Sequence, residues 1–218
     1  MRAQYLDALG IDRWVPRRPA ALPAASDWDT LATEVRGCVL CALHTTRTQT
    51  VFGVGNRHAE LLVVGEAPGA DEDREGEPFV GRAGKLLNSM LRALGAPRET
   101  VYIANILKCR PPGNRDPTAD EARCCRPYLQ RQIDLLAPRL MLALGRIAAQ
   151  NLLATDMPIG KLRGTVHRFG GQSTPLIVTY HPAYLLRSPT EKRKSWVDLR
   201  FVQSELARLR ALPRSAGT

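Results

Sequence analysis

Four short apolar runs, separated by segments with helical periodicity, constrain the fold of this chain more than any other feature. They lie at residues 61–64, 101–107, 140–144 and 176–180. Almost wholly apolar runs of this length indicate strands buried on both faces, and strands that alternate with helices form parallel sheets. The sequence therefore predicts a three-layer α/β/α fold around a central four-stranded parallel sheet. A short edge strand is also expected near residues 165–169.

A single domain of this class accommodates most of the 218 residues. We expect it to occupy residues 26–210, after an N-terminal extension with a Pro/Ala-rich linker at 1–25 and before a C-terminal tail at 211–218. The apolar runs are far too short to span a bilayer, and the first residues lack the apolar segment of a secretory signal. A cytoplasmic monomer with no membrane contact is the expectation.

The charge balance is strongly basic, with 31 Lys and Arg residues against 21 Asp and Glu residues and a net charge of +10. Such an excess favours a polyanionic partner, most often a nucleic acid. A compositional bias toward arginine is the alternative explanation, because arginine supplies nearly all of the basic residues. Charge by itself does not decide between the two.

The five cysteines are spaced like metal ligands. Cys38 and Cys41 form a Cys-x-x-Cys pair, Cys109 stands alone, and Cys124 and Cys125 are adjacent. Disulfides are rare in the cytosol, so a four-thiolate site with one spare cysteine is the favoured interpretation. Both Zn²⁺ and a [4Fe–4S] cluster accept four cysteine sulfurs, and the spacing does not choose between them.

The predicted strands deliver polar or flexible residues to one edge of the sheet. The first run leads into a glycine-rich loop at residues 65–84, and the other three bring Asn105, Gly145 and His181. Ligands of open α/β folds bind at this edge, outside the carboxyl ends of the strands. No P-loop Lys-Ser/Thr pair or ribose-binding acid accompanies the loop, so we expect no nucleotide cofactor.

The residues at this edge suggest recognition of a flat base. The carboxamide of Asn105 offers an acceptor and two donors, which match the N3–H and O4 edge of uracil and oppose that of cytosine. Phe79 can stack on a base, and His181 can donate a hydrogen bond to charge on a leaving group. Leu185 is a candidate apolar tip for the gap that a flipped base leaves, and Arg187 a candidate phosphate contact. Each residue also has a purely structural interpretation, as a satisfied amide, a core side chain or a turn residue.

Three motifs occur in order between about residues 35 and 209. They are Gly65-Glu66-Ala67-Pro68-Gly69-x-x-Glu72-Asp73 with Pro78-Phe79-Val80-Gly81, Asn105-x-x-Lys108-Cys109-Arg110-Pro111-Pro112-x-Asn114-Arg115, and His181-Pro182-Ala183-Tyr184-Leu185-Leu186-Arg187. Together with the cysteine pattern, they resemble the uracil-DNA glycosylase superfamily, most closely its family 4, the iron–sulfur members of bacteria and archaea. The resemblance implies an α/β/α fold and hydrolysis of the N-glycosidic bond of uracil in DNA, as a step of DNA repair.

The resemblance also implies a ligand set and a cofactor. It implies a [4Fe–4S] cluster in place of zinc, with Cys38, Cys41, Cys109 and Cys125 as ligands and Cys124 as the spare cysteine. The cluster would join the N-terminal helix to the loop that follows the second strand, so its expected role is structural.

The same resemblance implies roles for the residues of the first motif and their partners. Phe79 stacks on uracil, Asn105 reads its edge, and His181 stabilises the uracil anion. Gly65 and Glu66 lie beside the attacked sugar carbon.

One departure concerns the activation of water. Ala67 and Gly69 stand where the best-known branch of the superfamily has a water-activating Asp and an aromatic that excludes thymine. Glu66 is therefore the candidate to activate water, and what rejects the thymine methyl group is left open.

Two alternatives to an enzyme remain at this stage. The first is a module that binds uracil-DNA without turnover, or traps it covalently, as a related branch does through a histidine after the second strand. No histidine lies between Asn105 and Cys125 here, which favours turnover. The second is a redox or zinc-stapled DNA-binding protein in which the cysteines themselves are the function.

Overall fold

The computed structural model describes residues 27–170 and 174–212. The expected N-terminal extension and linker, and most of the expected C-terminal tail, lie outside the described residues. The helices are α1 Trp28–Arg36, α2 Ala70–Glu75, α3 Arg82–Ala93, α4 Ala119–Leu136, α5 Arg146–Leu153, α6 Ile159–Leu162, α7 Pro182–Arg187 and α8 Lys192–Arg210. The strands are β1 Val54–Gly55, β2 Leu61–Gly65, β3 Tyr102–Asn105, β4 Leu140–Leu144, β5 His167–Arg168 and β6 Pro175–Thr179.

The strands form one sheet in the order β1-β3-β2-β4-β6-β5. The four central strands are parallel, which confirms the predicted core of the sheet. Two-residue antiparallel strands flank it on both sides, so the sheet has six strands rather than four. The edge strand near residues 165–169 was expected. Strand β1 was not, because two residues are too few to show a periodicity.

Apolar side chains of the central strands alternate between two cores, one on each face of the sheet. Leu62, Val64, Met141 and Ala143 pack toward α4, α5 and α6. Neighbouring residues of the same strands pack toward α3, α7 and α8; they include Leu61, Val63, Leu140, Leu142 and Ile177. Each fully buried side chain of this size contributes about 1.5–3 kcal/mol. The three-layer arrangement follows from this two-sided burial.

Helix α1 lies against α4 and carries the first two cysteines to it. Asp27 caps α1 by accepting the N–H of Thr30 at 2.7 Å. Leu31, Val35 and Tyr128 form a small separate core between the two helices, and Cys38 packs against it. No helix in the described part of the chain combines the length and the apolar character that crossing a membrane requires.

Candidate active site

The residues predicted to form the site converge at the carboxyl ends of β2, β3 and β6. Gly65 and Asn105 are register partners in neighbouring strands, and His181 lies two residues beyond β6. A Cβ atom on Gly65 would lie 2.4 Å from Oδ1 of Asn105 and 2.6 Å from the Phe79 ring. Only glycine therefore allows the amide and the aromatic ring to approach the end of β2 this closely. Ala67, two residues further on, is partly buried against the core beneath α4.

Phe79 is held in an unfavourable backbone conformation. Its φ is 56°, in the left-handed region that a bulky aromatic residue rarely adopts. Such a conformation costs about 1–3 kcal/mol and persists only where the surroundings enforce it, most often at functional sites. The ring is 7% exposed, and its centroid lies 5.6 Å from that of His181, with the planes 33° apart.

Glu72 holds the main chain around Phe79, a role that was not predicted from the sequence. Its carboxylate accepts the N–H groups of Val80 at 3.0 Å, Gly81 at 3.1 Å and Gly69 at 3.1 Å. The first two bonds fix the turn that follows Phe79, and the third caps α2. A glycine followed three residues later by Glu is a recognisable capping signal, but the longer-range bonds to Val80 and Gly81 have no local signature.

The side chain of Asn105 is buried with an unused acceptor. The residue is 2% exposed, and its Oδ1 has no hydrogen-bond partner among the described residues. A buried polar atom without a partner costs about 1–3 kcal/mol, so native proteins rarely leave one except where a ligand will supply the bond. The amide is thus not the fully satisfied structural amide that the sequence also allowed.

The main chain of Asn105 is supported from below by a buried polar chain. Lys108, 1% exposed, donates to the carbonyl of Asn105 at 3.0 Å and to Oε1 of Gln132 at 2.6 Å. Gln132 in turn donates to the carbonyl of Phe52 at 2.9 Å. These bonds connect the end of β3 to the C-terminal part of α4.

His181 presents a neutral ring with a defined tautomer. Its Nδ1 accepts the N–H of Ala183 at 3.1 Å as the N-cap of α7, so the proton of the neutral imidazole resides on Nε2. Burial, aided by the positive charge of Arg187, lowers the pKa of His181 to about 4, while Glu72 opposes the shift. At neutral pH the ring is therefore an uncharged donor through Nε2.

Helix α7 places its two DNA-contact candidates differently. Arg187 is exposed, and its charge acts on His181, which puts it at the rim of the site. The expectation that Leu185 is an exposed apolar tip is wrong for this structure, because Leu185 is 1% exposed. It lies in the core shared with α3 and α8, since α7 packs that face against α3.

Glu66 has a carboxyl group suited to proton transfer near neutral pH. Burial, reinforced by the charge of Asp116, raises its pKa to about 7, and Arg146 opposes the shift. Arg146 donates to Asp116 at 2.7 Å, so the pair beside Glu66 is itself neutralised. A base whose pKa lies near the working pH combines the required protonation state with sufficient basicity.

Replacing Glu66 with glutamine is expected to stabilise the protein at alkaline pH. Because the pKa of Glu66 in the folded protein lies above the usual 4.5, the native state favours the protonated carboxyl group. The free energy of unfolding therefore falls as the pH rises from 4.5 through about 7 and Glu66 ionises in the folded protein. We expect E66Q to raise the free energy of unfolding by about 1–2 kcal/mol above pH 7, after allowance for solvent screening, and to leave it unchanged below pH 4.5. Urea unfolding at both ends of this range measures the difference. Glu99→Gln, the same substitution at an exposed position, is the control.

The cysteines lie close enough to influence one another electrostatically. Cys109 and Cys125 are each 3% exposed, and burial raises the pKa of Cys125 to about 12. Burial also raises the pKa of Cys109, and the thiols of Cys38 and Cys41 add to that shift. In the described ranges, no group of three or more Cys, His, Asp or Glu side chains is arranged to hold a single metal ion.

Hydrogen-bond donors are directed at three of the sulfurs. Arg47 Nη1 donates to Sγ of Cys109 at 3.0 Å. Main-chain N–H groups of Leu43 and Lys108 lower the pKa of Cys41 and of Cys125 respectively, each against the effect of burial.

Cys124 is bonded differently from the other thiols. Its Sγ donates to the carbonyl of Leu40 at 3.3 Å. It therefore acts as a thiol donor, whereas Cys109 receives a donor from Arg47.

Comparison with known proteins identifies relatives over most of the chain. The model of the uracil DNA glycosylase superfamily matches residues 52–201, a span that includes Gly65, Phe79, Asn105 and His181. A type-4 uracil-DNA glycosylase of Archaeoglobus fulgidus is 48% identical over 180 residues, covering 80% of this chain and 90% of that protein. A type-4 enzyme of Thermotoga maritima is 43% identical over 162 residues, covering 73% and 83%. A type-5 uracil-DNA glycosylase of Thermus thermophilus is 36% identical, but over only 48% of this chain.

Proposed function

The chain belongs to the uracil-DNA glycosylase superfamily, and on that premise we propose that it flips uracil out of DNA and hydrolyses its N-glycosidic bond. The product is an abasic site, which makes the reaction a step of DNA repair. One observation supports the assignment to this site: the buried Oδ1 of Asn105, which has no hydrogen-bond partner and lies, like the Phe79 ring, next to Gly65. That acceptor is the group that the N3–H of uracil requires.

The bond breaks more easily if the negative charge that develops on the base is stabilised. Neutral His181 donates from Nε2 to that charge, and because its pKa is about 4 it does so without first taking up a proton. A fixed donor of this kind is worth roughly 10²–10³-fold in rate. Phe79 stacks on the base, and Gly65 and Ala67, at the carboxyl end of β2, lie beside the sugar.

Glu66 is the proposed activator of the attacking water. With a pKa of about 7, its carboxylate fraction grows as the pH rises from 6 to 8. The wild-type rate is therefore expected to rise over this range, and E66Q to lose that rise. Since water is the only co-substrate, no nucleotide cofactor enters the proposal.

Contact with DNA is assigned to the basic character of the chain and to the rim of the site. Arg187 is placed to meet a phosphate next to the flipped nucleotide, within a protein of net charge +10. Counterion release then makes binding weaken as salt increases. We propose a monomer that acts on DNA in the cytoplasm.

A [4Fe–4S] cluster bound by Cys38, Cys41, Cys109 and Cys125 is part of the proposal. Each thiolate of such a cluster binds a different iron atom, so its sulfurs are more widely spread than those around one ion. The donors to sulfur from Arg47 and from two main-chain N–H groups suit thiolates that carry negative charge. Bound iron would supply a cross-link between α1, the loop after β3, and α4.

The cluster proposal predicts a coloured protein whose stability depends on iron. Anaerobically purified protein should be brown and contain iron and acid-labile sulfide in equal amounts. Cys109→Ala should lose both and unfold at a lower temperature, because the cross-link between three segments is gone. Cys124→Ala should keep both. Zinc in place of iron, or loss of colour in C124A, would contradict the ligand assignment.

A substrate panel tests the proposed function. Duplexes with uracil opposite each base, single-stranded uracil-DNA and hypoxanthine-DNA are incubated with the protein, and free base and alkali-labile strands are measured. Release of uracil supports the proposal. A heat-stable protein–DNA band on a denaturing gel would instead support the covalent-trapping alternative. If neither free uracil nor such a band forms, the assignment is refuted.

A further inference from the structure

Arg98 lies directly behind residues 78–81, the turn that contains Phe79, and contacts carbonyl groups of that turn. It opens the short turn Arg98–Thr100 that precedes β3, and its side chain is 20% exposed. Nη2 donates to the carbonyl of Pro78 at 2.5 Å, and Nη1 reaches the carbonyl of Phe79 at 3.5 Å. The same guanidinium donates to Glu77 at 2.7 Å and to Asn88 of α3 at 3.3 Å.

The two sides of the turn are therefore held by opposite charges. Glu72 accepts the N–H groups of Val80 and Gly81 that follow Phe79. Arg98 donates to the carbonyl groups at and before it. A planar guanidinium suits this task because its donors form a rigid fork, which a lysine cannot reproduce.

The backbone of Phe79 needs such support. Its φ of 56° is strained, and α3 approaches so closely that a Cβ on Gly84 would lie 1.8 Å from the Phe79 carbonyl oxygen. Without the guanidinium against the carbonyl groups of Pro78 and Phe79, we expect the residue to relax to negative φ, which would move the ring away from Gly65 and Asn105.

We propose that Arg98 is a positioning residue that holds the Phe79 ring in place for stacking on the flipped base. The inference deepens the proposed function and rests on it. Because misplacing a substrate-positioning group by about 1 Å can cost about 10²-fold, the expected loss is in the rate on bound substrate as well as in affinity.

Arg139 provides a matched control. Its side chain is 18% exposed, it forms an ion pair with Glu60 at 3.1 Å, and it donates to the carbonyl groups of Leu209 at 2.7 Å and Leu212 at 3.1 Å. It directly precedes β4 and so lies at the amino ends of the parallel strands, whereas the site lies at their carboxyl ends. Loss of Arg139 thus removes similar bonds without touching Phe79.

The experiment compares the wild type with Arg98→Met, Arg98→Lys, Arg139→Met, Phe79→Ala and the double variant R98M/F79A. Single-turnover rates and KM are measured on a uracil-containing duplex. Hydrogen–deuterium exchange of the backbone N–H groups of residues 79–81 is measured on the same free proteins. We expect R98M to slow the reaction by about 10–100-fold and R98K by less, with R139M within about two-fold of the wild type. Exchange at residues 79–81 should accelerate in R98M and stay unchanged in R139M.

The double variant tests whether Arg98 acts through Phe79. R98M should add no more than about two-fold to the loss in F79A, because both changes remove the same ring position. The proposal would be overturned if the rate losses of R98M and F79A multiplied in the double variant, or if R139M lost as much activity as R98M. It would also be overturned if R98M kept the rate and the exchange of the wild type. If the wild type releases no uracil, the proposed function fails, and the exchange comparison alone then decides whether Arg98 holds the turn. If R98M does not fold, R98K takes its place in the exchange comparison.

Discussion

Replacing His181 with alanine is expected to slow uracil release by about 10²–10³-fold, the effect of removing one fixed donor to a developing anion. The donor is fixed because Nδ1 accepts the N–H of Ala183, which leaves the proton on Nε2. Stability should fall by only about 1 kcal/mol, since the lost bond is one partly buried helix cap. Single-turnover rates with excess protein over a uracil-containing duplex measure the effect, and His58→Ala, at an exposed histidine, should match the wild type.

The pH dependence separates a neutral donor from an acid. With its pKa lowered to about 4, His181 stays uncharged over the range from about pH 5 to 8. The ratio of wild-type to H181A rates should therefore be constant across that range. A ratio that grows steeply toward low pH would show that the imidazolium is the active form and that the assigned role is wrong.

Asn105→Leu is expected to abolish activity while it stabilises the free protein. Leucine has a similar volume and removes a buried acceptor that has no partner, so the free energy of unfolding should rise by about 1–2 kcal/mol. The rate on uracil-DNA should fall by about 10³-fold or more, because a site built to hydrogen-bond its substrate discriminates strongly when that bond is lost. Guanidinium unfolding measures the expected gain in stability, and the single-turnover assay measures the expected loss of rate.

Gln132→Leu is the matched control for this prediction. Gln132 is also a fully buried amide, but it accepts from Lys108 and donates to Phe52 and Tyr102. The same substitution there should destabilise the protein by about 2 kcal/mol or more, since it leaves Lys108 without that acceptor. If N105L destabilised the protein as Q132L does, Asn105 would be a structural amide after all.

The position of the site could be read from the sequence because it depends on local patterns. Apolar runs predict strands, and parallel strands bring their carboxyl ends to one edge, so Gly65, Asn105 and His181 had to meet. The property that the sequence did not predict correctly is the exposure of Leu185, which is buried. Which face of a six-residue helix packs against α3 depends on contacts with residues about a hundred positions away, and no local pattern records them.

Other properties of the site arise only when the chain is folded. The strain at Phe79 requires Gly84, Glu72 and Arg98, which three different segments supply. The pKa of Glu66 depends on burial and on a charge fifty residues away in the chain.

The sequence by itself determined the layered sheet, the edge at which the chemistry lies and the chemical types of the residues there. Tertiary structure alone decided that the Oδ1 of Asn105 has no partner, that Phe79 adopts a strained backbone between two opposite charges, and that Leu185 is buried. The physical reason is that strand formation follows from short-range periodicity. Desolvation, strain and the satisfaction of polar atoms depend instead on neighbours that only the packed chain brings together.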